Sequence, residues 1–509
     1  MTSGLAASAG LSAQSPRGAR GRNTPFAVVD IGSNSVRLVI YESFSRTPAV
    51  VHNEKAICAI GRDMVTRRRL HEDGMRLALD SLSRFRLLAD AHHVELRDAV
   101  ATAAARDAAN GQEFVRRAEA AWGRPIRILA GEEEARLAAL GVLAGIPTAD
   151  GVVADLGGGS LDMVTVRAGE TGAAMTLPIG PLRLIDMAKG DPERARDIVK
   201  AALEETKRLG NLRGRALYAV GGVWRSFARV DMEEFGYPLH VLHNYAIPAE
   251  RAVKISRVLS RLSRKSFDLM KVVSRRRAEA LPYGAVVLEE LLLATGLSQV
   301  VISAYGLREG LLYEQLASDE RAKDPLIAFA AAFNARISRT PQHANEMFNW
   351  IAPLFAEESA ELKRTRLAVC LFSDIGWRRH PDDRAFGTFN QVLTSPFAGA
   401  DHRTRAAIAT AIYYRYSGDE DFPGNAQIGT LLGPEEVLVA RRLGLSLRLA
   451  FALSASAPGE LAHYGLRITP SRLTLEIPHR RAQIAGEPVQ KRLAALAANL
   501  GRKAEVVVS

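Results

Sequence analysis

Two stretches of this chain, far apart, share one pattern of apolar and polar positions. Between Pro25 and Glu42 the sequence reads FAVVDIGSNSVRLVIYE: a β-branched apolar run, a Gly-Ser-Asn turn and a second apolar run, the signature of a β-hairpin. Residues 151–166, GVVADLGGGSLDMVTV, repeat it, and the two align without gaps at an offset of 125 (155 minus 30). Asp30, Gly32 and Ser35 thereby match Asp155, Gly157 and Ser160. A duplicated strand, Asp, Gly-rich turn and strand predicts two related lobes, each presenting one hairpin to a shared cleft.

Helical periodicity covers 72–91 and 131–145, and 98–105 and 125–130 read as strands, so each lobe mixes the two. After residue 318 the texture changes to Ala-rich amphipathic helices at about 325–338, 343–358, 360–377, 401–416 and 435–453. The end differs again, with HYGLRITP and RLTLEIP as strands, EPVQKRLAALAANL as a helix and KAEVVVS as a last strand. The predicted division is a disordered tail at 1–23, lobes at 24–130 and 131–317, a helical domain at 318–460, and a small β-β-α-β unit at 461–509. The fold class is α/β with appended helical and α+β parts.

At 509 residues, 47% hydrophobic and 24% charged, the chain has the composition of soluble globular domains. Its longest apolar runs, such as AVVLEELLLATGL, are broken by charge, so no membrane span is expected. Residues 1–23 carry Ala, Ser, Gly and Arg without an apolar core, which reads as a tail rather than a secretory signal, though a transit peptide is also Arg-bearing and acid-free. Two distant cysteines, Cys58 and Cys370, argue against a disulfide framework and for a reducing, cytoplasmic setting. The net charge of +11, from 67 basic and 56 acidic residues, predicts a surface that attracts polyanions without saying which.

The candidate chemistry lies in the two turns. Gly32, Ser33, Asn34 and Ser35 in the first, and Gly157, Gly158, Gly159 and Ser160 in the second, offer backbone N–H groups and hydroxyls that can cradle phosphate oxygens. Each turn alone could be no more than a tight hairpin; their in-register repetition favours phosphate binding. Asp30 and Asp155 end the strands before the turns, where a carboxylate can hold Mg²⁺ or simply start a turn through an Asx hydrogen bond.

Seven blocks in order, DIGSNSVRLVIYE, ATAAARDAANG, ILAGEEEARLAALGV, ADLGGGSLDMV, LPIGPLRL, AVGGVWRSFAR and SAYGLREGLL, span about residues 25–315. With them the chain resembles the exopolyphosphatase and guanosine pentaphosphate phosphohydrolase family, of the superfamily that includes actin, sugar kinases and the heat-shock chaperone ATPase. The resemblance implies a two-lobed actin-like (ribonuclease H-like) fold and Mg²⁺-dependent attack of water on a terminal phosphate. The substrate would be inorganic polyphosphate or, alternatively, pppGpp. It implies that Glu134 orients or deprotonates the water and that Arg106 contacts the substrate phosphate, a task suited to a guanidinium fork. Read without the resemblance, Glu132, Glu133 and Glu134 would only decorate a helix N-terminus.

Gly221 and Gly222 match the family's second-lobe glycine pair, and Asp162 stands where the family usually has Glu, one methylene longer. The helical domain resembles the family's HD-phosphohydrolase-like appendage without its His-Asp metal pair, Ser373-Asp374 being the nearest candidate. His380 and His402 are expected as solvent-facing helix-end residues. Arg67–Arg69 and Arg275–Arg277 could line a track for an anionic chain or be solvated faces, and Arg277-Ala278-Glu279, the RAE block, also resembles a family block, where a structural pairing is the alternative. A homodimer without nucleic-acid or membrane partners completes the expectation, with a catalytically weak polyphosphate or nucleotide sensor as the rival from another class.

Overall fold

The computed structural model describes residues 24–62, 64–418 and 422–509, and the proposed tail at 1–23 lies outside them. The chain divides into two compact units, one of residues up to 129 with 311–322, the other of 130–310 with 323–509. The first unit thus takes back 311–322, a stretch the sequence reading divides between the second lobe and the helical domain.

The first unit is built on strands β1 (Phe26–Ile31), β2 (Ser35–Tyr41), β3 (Val50–Ile57), β4 (Leu96–Ala101) and β5 (Arg127–Ile128) in the order β3-β2-β1-β4-β5. The first three run antiparallel, and β4 and β5 join parallel. The second unit repeats this order with β6 (Gly151–Leu156), β7 (Leu161–Arg167), β8 (Glu170–Leu177), β9 (Ala216–Val220) and, after the edge strand β10 (Tyr245–Pro248), β11 (Gln299–Ile302). With the edge strand β10 left out of the count, both sheets read 3-2-1-4-5, the ribonuclease H-like order. The hairpins match in register as well as in sequence: Asp30 faces Arg37 across β1 and β2, and Asp155 faces Asp162 across β6 and β7, again 125 residues on. Gly32 N–H donates to the Ser35 carbonyl and Gly157 N–H to the Ser160 carbonyl, each at 3.0 Å.

Apolar alternation sorts each strand's two faces into separate cores. Val152, Ala154 and Leu156 pack with the helices Gly222–Glu234 and Leu281–Thr295, whereas Val153, Val164 and Val166 pack under the helix Gly131–Gly145. The long helices Glu72–Ala91 and Gly131–Gly145 lie where periodicity put them. The strand expected to 105 stops at Ala101, and Ala103–Asp107 is helical, since beyond its last β1 partner the Ala run follows its helix propensity. The strand expected over 125–130 is confined to Arg127–Ile128.

Helices of the last part share one apolar cluster, from Leu326 to Ala497, with the sheet of β12 (Gly465–Ile468), β13 (Arg472–Ile477) and β14 (Lys503–Val508). Pro353 lies in a 3₁₀ turn, Ala352–Phe355, that follows the helix His343–Trp350, shorter than the expected 343–358. The helix Pro381–Thr394 was not foreseen, although Pro381, Asp382 and Asp383 form a helix-start signal. His380 caps it and is exposed, as expected. His402 is not solvent-facing: it opens the helix His402–Tyr416 but is buried, bonded through Nδ1 to Tyr237 Oη at 2.8 Å and through Nε2 to the His243 carbonyl at 3.1 Å. Burial pushes its pKa, and that of His243, down to about 4.

Candidate active site

In the first unit β1 and β4 end side by side, with the Thr102 N–H on the Ile31 carbonyl at 3.1 Å. The Gly32–Ser35 turn leaves from one strand and the short helix bearing Arg106 from the other, so Asp30, the turn and Arg106 share one end of the sheet. The half-buried Arg106 side chain is held by Nη1 on the Leu129 carbonyl and Nε on Asp107, both at 3.0 Å. Gly61 braces the turn from outside: its N–H reaches the Ser33 carbonyl at 2.8 Å, and a Cβ there would meet Ser33 Cβ at 2.9 Å.

The second unit gathers more. Asp155, Asp162 and Thr176 face one another across β6, β7 and β8. By alternation all three lie on the face that the Gly131–Gly145 helix covers. That helix starts beside them, for a Cβ on Gly131 would meet Thr176 Oγ1 at 2.7 Å. The first helical turn, with Glu132 exposed and Glu133 and Glu134 half-buried, therefore stands at the carboxylate row. Glu134 Oε2 is shielded from solvent. Asp162 is buried and receives the Ser160 hydroxyl at 2.9 Å, so Ser160 positions this carboxylate.

The Gly157–Ser160 turn is pressed from behind by LPIGPLRL. A Cβ on Gly180 would lie 2.5 Å from Gly158 backbone, and the Leu182 N–H bonds the Gly158 carbonyl at 2.9 Å. Gly221, which follows β9 beside Asp155, has φ of +110° and leaves no room for a Cβ against the Leu156 carbonyl, so glycine is required there. A Cβ on Gly222 would strike the Arg277 guanidinium. Arg277 is the residue the sequence reading placed in a basic run, with a structural pairing as the alternative. Burial and the neighbouring Arg229 depress its pKa, and no carboxylate pairs with it among the described residues. Its signal was the RAE block, noted but unassigned. Arg67, Arg68 and Arg69 are exposed.

Two carboxylates on adjacent strands beside a glycine-rich turn suit Mg²⁺, which takes one or two protein carboxylates and completes its shell with water and substrate phosphate. Groups of three or more metal-binding side chains do not occur among the described residues. In the helical domain Asp374 instead accepts a forked ion pair from Arg339, at 3.0 Å to Nε and 2.5 Å to Nη2, while the Ser373 hydroxyl bonds the Cys370 carbonyl.

Residues 26–319 match the Ppx/GppA phosphatase family and residues 326–507 match "Exopolyphosphatase, C-terminal". The chain belongs to the Ppx/GppA family. Among known family structures, the Aquifex aeolicus family member is 26% identical with a TM-score of 0.51, covering 57% of this chain and 97% of its own. An exopolyphosphatase from Cytophaga hutchinsonii, 24% identical with a TM-score of 0.52 over 57% of this chain and 97% of its own, shares the fold. Exopolyphosphatase 2 of Mycobacterium tuberculosis is 26% identical over 57% of this chain and 97% of its own length. Retrograde regulation protein 2 of Saccharomyces cerevisiae is 25% identical over 77% of this chain and 72% of its own. The Ppx/GppA match, the repeated sheet order and the helical C-terminal region agree with the two-lobed actin-like fold with a helical appendage.

Proposed function

We propose that this Ppx/GppA member is an exopolyphosphatase that releases orthophosphate from the end of inorganic polyphosphate. The observation that carries the reading is the meeting, in one unit, of Asp155, Asp162, the glycine turn and the first turn of the Glu134 helix. In this reading Glu134 takes the proton of the attacking water, and the Gly157–Gly159 amides and Arg277 neutralise phosphate oxygens. In the other unit, Asp30, the Gly32–Ser35 turn and Arg106 are a second set of groups suited to phosphate. Asp155 and Asp162 would hold Mg²⁺, which lowers the charge opposing attack, and Asp30 is the matching candidate within the first unit's hairpin. Hydrolysis of pppGpp to ppGpp breaks the same kind of bond and is the alternative within the site. A cytoplasmic homodimer is part of this proposal: the family resemblance suggests the dimer, and the two buried free thiols, Cys58 and Cys370, fit a reducing compartment.

A second reading, a sensor with weak catalysis, draws on the yeast relative, whose name speaks of regulation, and on the shortened Asp162. One experiment separates them: phosphate release from long polyphosphate, tripolyphosphate and pppGpp side by side, with and without Mg²⁺. Mg²⁺-dependent turnover that is fastest on polyphosphate supports the exopolyphosphatase. Faster turnover of pppGpp moves the substrate. Binding without turnover on all three leaves the sensor.

A further inference from the structure

The helical part holds a cavity of about 570 Å³ that the proposed reaction does not use. Five arginines line it, Arg339, Arg384, Arg415, Arg448 and Arg492, and no carboxylate does among the described residues. The rest of its wall includes Trp377, Tyr416 and Phe451.

The decisive residue is Arg415. It is only 8% exposed, yet its five N–H donors make no hydrogen bond or ion pair among the described residues, and Nε is shut off from solvent. Its guanidinium carbon lies 3.4 Å from the Phe451 ring centre and 4.5 Å from that of Tyr416, and these faces offer no acceptor in the guanidinium plane. Buried arginines nearby are treated differently. Arg366 grips Glu358 through two nitrogens, and Arg405 donates to the carbonyls of Leu393, Ser395 and Phe397. Burial lowers the Arg415 pKa to about 10, which still leaves the cation charged at neutral pH. An unpaired buried cation is costly unless something supplies the counter-charge.

The neighbours do not supply it. Asp374, the carboxylate that acts on Arg415 electrostatically, is occupied by Arg339. Arg384 donates to the Arg379 carbonyl, a neutral acceptor, and so keeps its charge. Arg492 is half-buried and forms no bond or pair among the described residues. On the same wall the buried Ser456 hydroxyl has no hydrogen-bond partner among the described residues.

We propose that this cavity binds a small anion carrying several phosphate groups, with Arg415 at its base and Arg384 and Arg492 around it. Several guanidiniums converging without a carboxylate among the described residues match the charge density and oxygen geometry of linked phosphates. The site lies wholly in the helical part and stands whether or not the chain hydrolyses polyphosphate.

The test is equilibrium titration of the full chain, without Mg²⁺ so that nothing is turned over, with tripolyphosphate and, separately, with a non-hydrolysable nucleoside triphosphate, followed by calorimetry and tryptophan fluorescence. Wild type is compared with Arg384→Glu/Arg492→Glu, which alters half-buried positions, and with Arg415→Gln. The expected result is that each variant loses one bound equivalent per chain, or at least about tenfold in affinity for it, while kcat on tripolyphosphate is unchanged. Binding of tripolyphosphate alone would show a site read by phosphates; binding of the nucleotide alone would show one that also needs the base. Either outcome supports the proposal. Equal stoichiometry and affinity in wild type and the double variant, with both ligands, overturns it even if Arg415→Gln fails to fold. Asp419, Glu420 and Asp421 lie outside the described residues, so their triple amide variant is the control for self-occupancy. If anion binding is absent in wild type and appears only in that variant, the chain's own acids fill the cavity and the proposal fails.

Discussion

At the scale of single residues, three neighbouring glutamates have the same composition but different places. Glu132 is exposed, while Glu134 has one oxygen shielded at the end of the sheet where Asp155 and Asp162 face each other. Glu134→Gln should keep polyphosphate binding and lose at least about a hundredfold in kcat, the scale of a removed acid–base group. Glu132→Gln should be much milder. Near-normal turnover of Glu134→Gln in a single-turnover assay would remove it from the mechanism. The carboxylate row carries its own expectation: Asp155→Asn and Asp162→Asn should raise the Mg²⁺ concentration for half-maximal rate. Asp162 should show the larger loss of fold stability as well, because its Asn variant leaves the Ser160 hydroxyl a weaker acceptor in a buried setting. Unchanged metal dependence in both variants would return these residues to a turn-forming role.

At the scale of elements, the Gly131–Gly145 helix sets where Glu134 stands, and its own position depends on close packing at Gly141. A Cβ there would run into the Gly306 carbonyl, a backbone group that cannot swing aside. Replacing a helix-interior Gly by Ala ordinarily gains about 1 kcal/mol. Overpacking costs typically about 1–3 kcal/mol, and more where backbone must move, so the clash wins. Gly141→Ala should therefore lower the urea midpoint, and it should lower kcat by shifting the helix that carries Glu134. A higher midpoint would show that the helix can slide without penalty. The element-level errors of the sequence reading have a common cause. ATAAAR looked like a strand because it follows one, and only the end of β1 pairing shows where the strand must stop.

At the scale of the whole molecule, the helical part is fastened to the 130–310 part through a buried knot of Tyr237, His243 and His402. Both histidines are neutral when folded, with pKa values pushed down to about 4 by burial, against 6.5 when unfolded. The unfolded chain therefore binds more protons between these values. Stability contributed by the knot is fully present above about pH 6.5 and is lost as pH falls toward 4, with a slope of up to about 1.4 kcal/mol per pH unit per histidine. Urea midpoints measured at pH 7.5 and 5 should show this loss, and His402→Gln should flatten it. A midpoint that rises on acidification would contradict the neutral assignment.

The sequence alone determined the duplicated hairpins, the glycine turns and the two aspartates that precede them, because alternation, turn residues and strand ends are local properties of the chain. The ordered family blocks added Glu134 and Arg106 by resemblance, and the helical part was legible from its periodicity. Only the tertiary structure decided which of these residues stand together and what supports them. Arg277 against Gly222, Gly180 behind Gly158, His402 under Tyr237 and Arg415 beneath Phe451 are pairs separated by roughly 20 to more than 150 residues. No local pattern encodes such pairs, since a charge or a glycine reads the same on a solvated face as in a packed one. Burial and the presence or absence of a partner make the difference, and both arise only when distant segments close on one another.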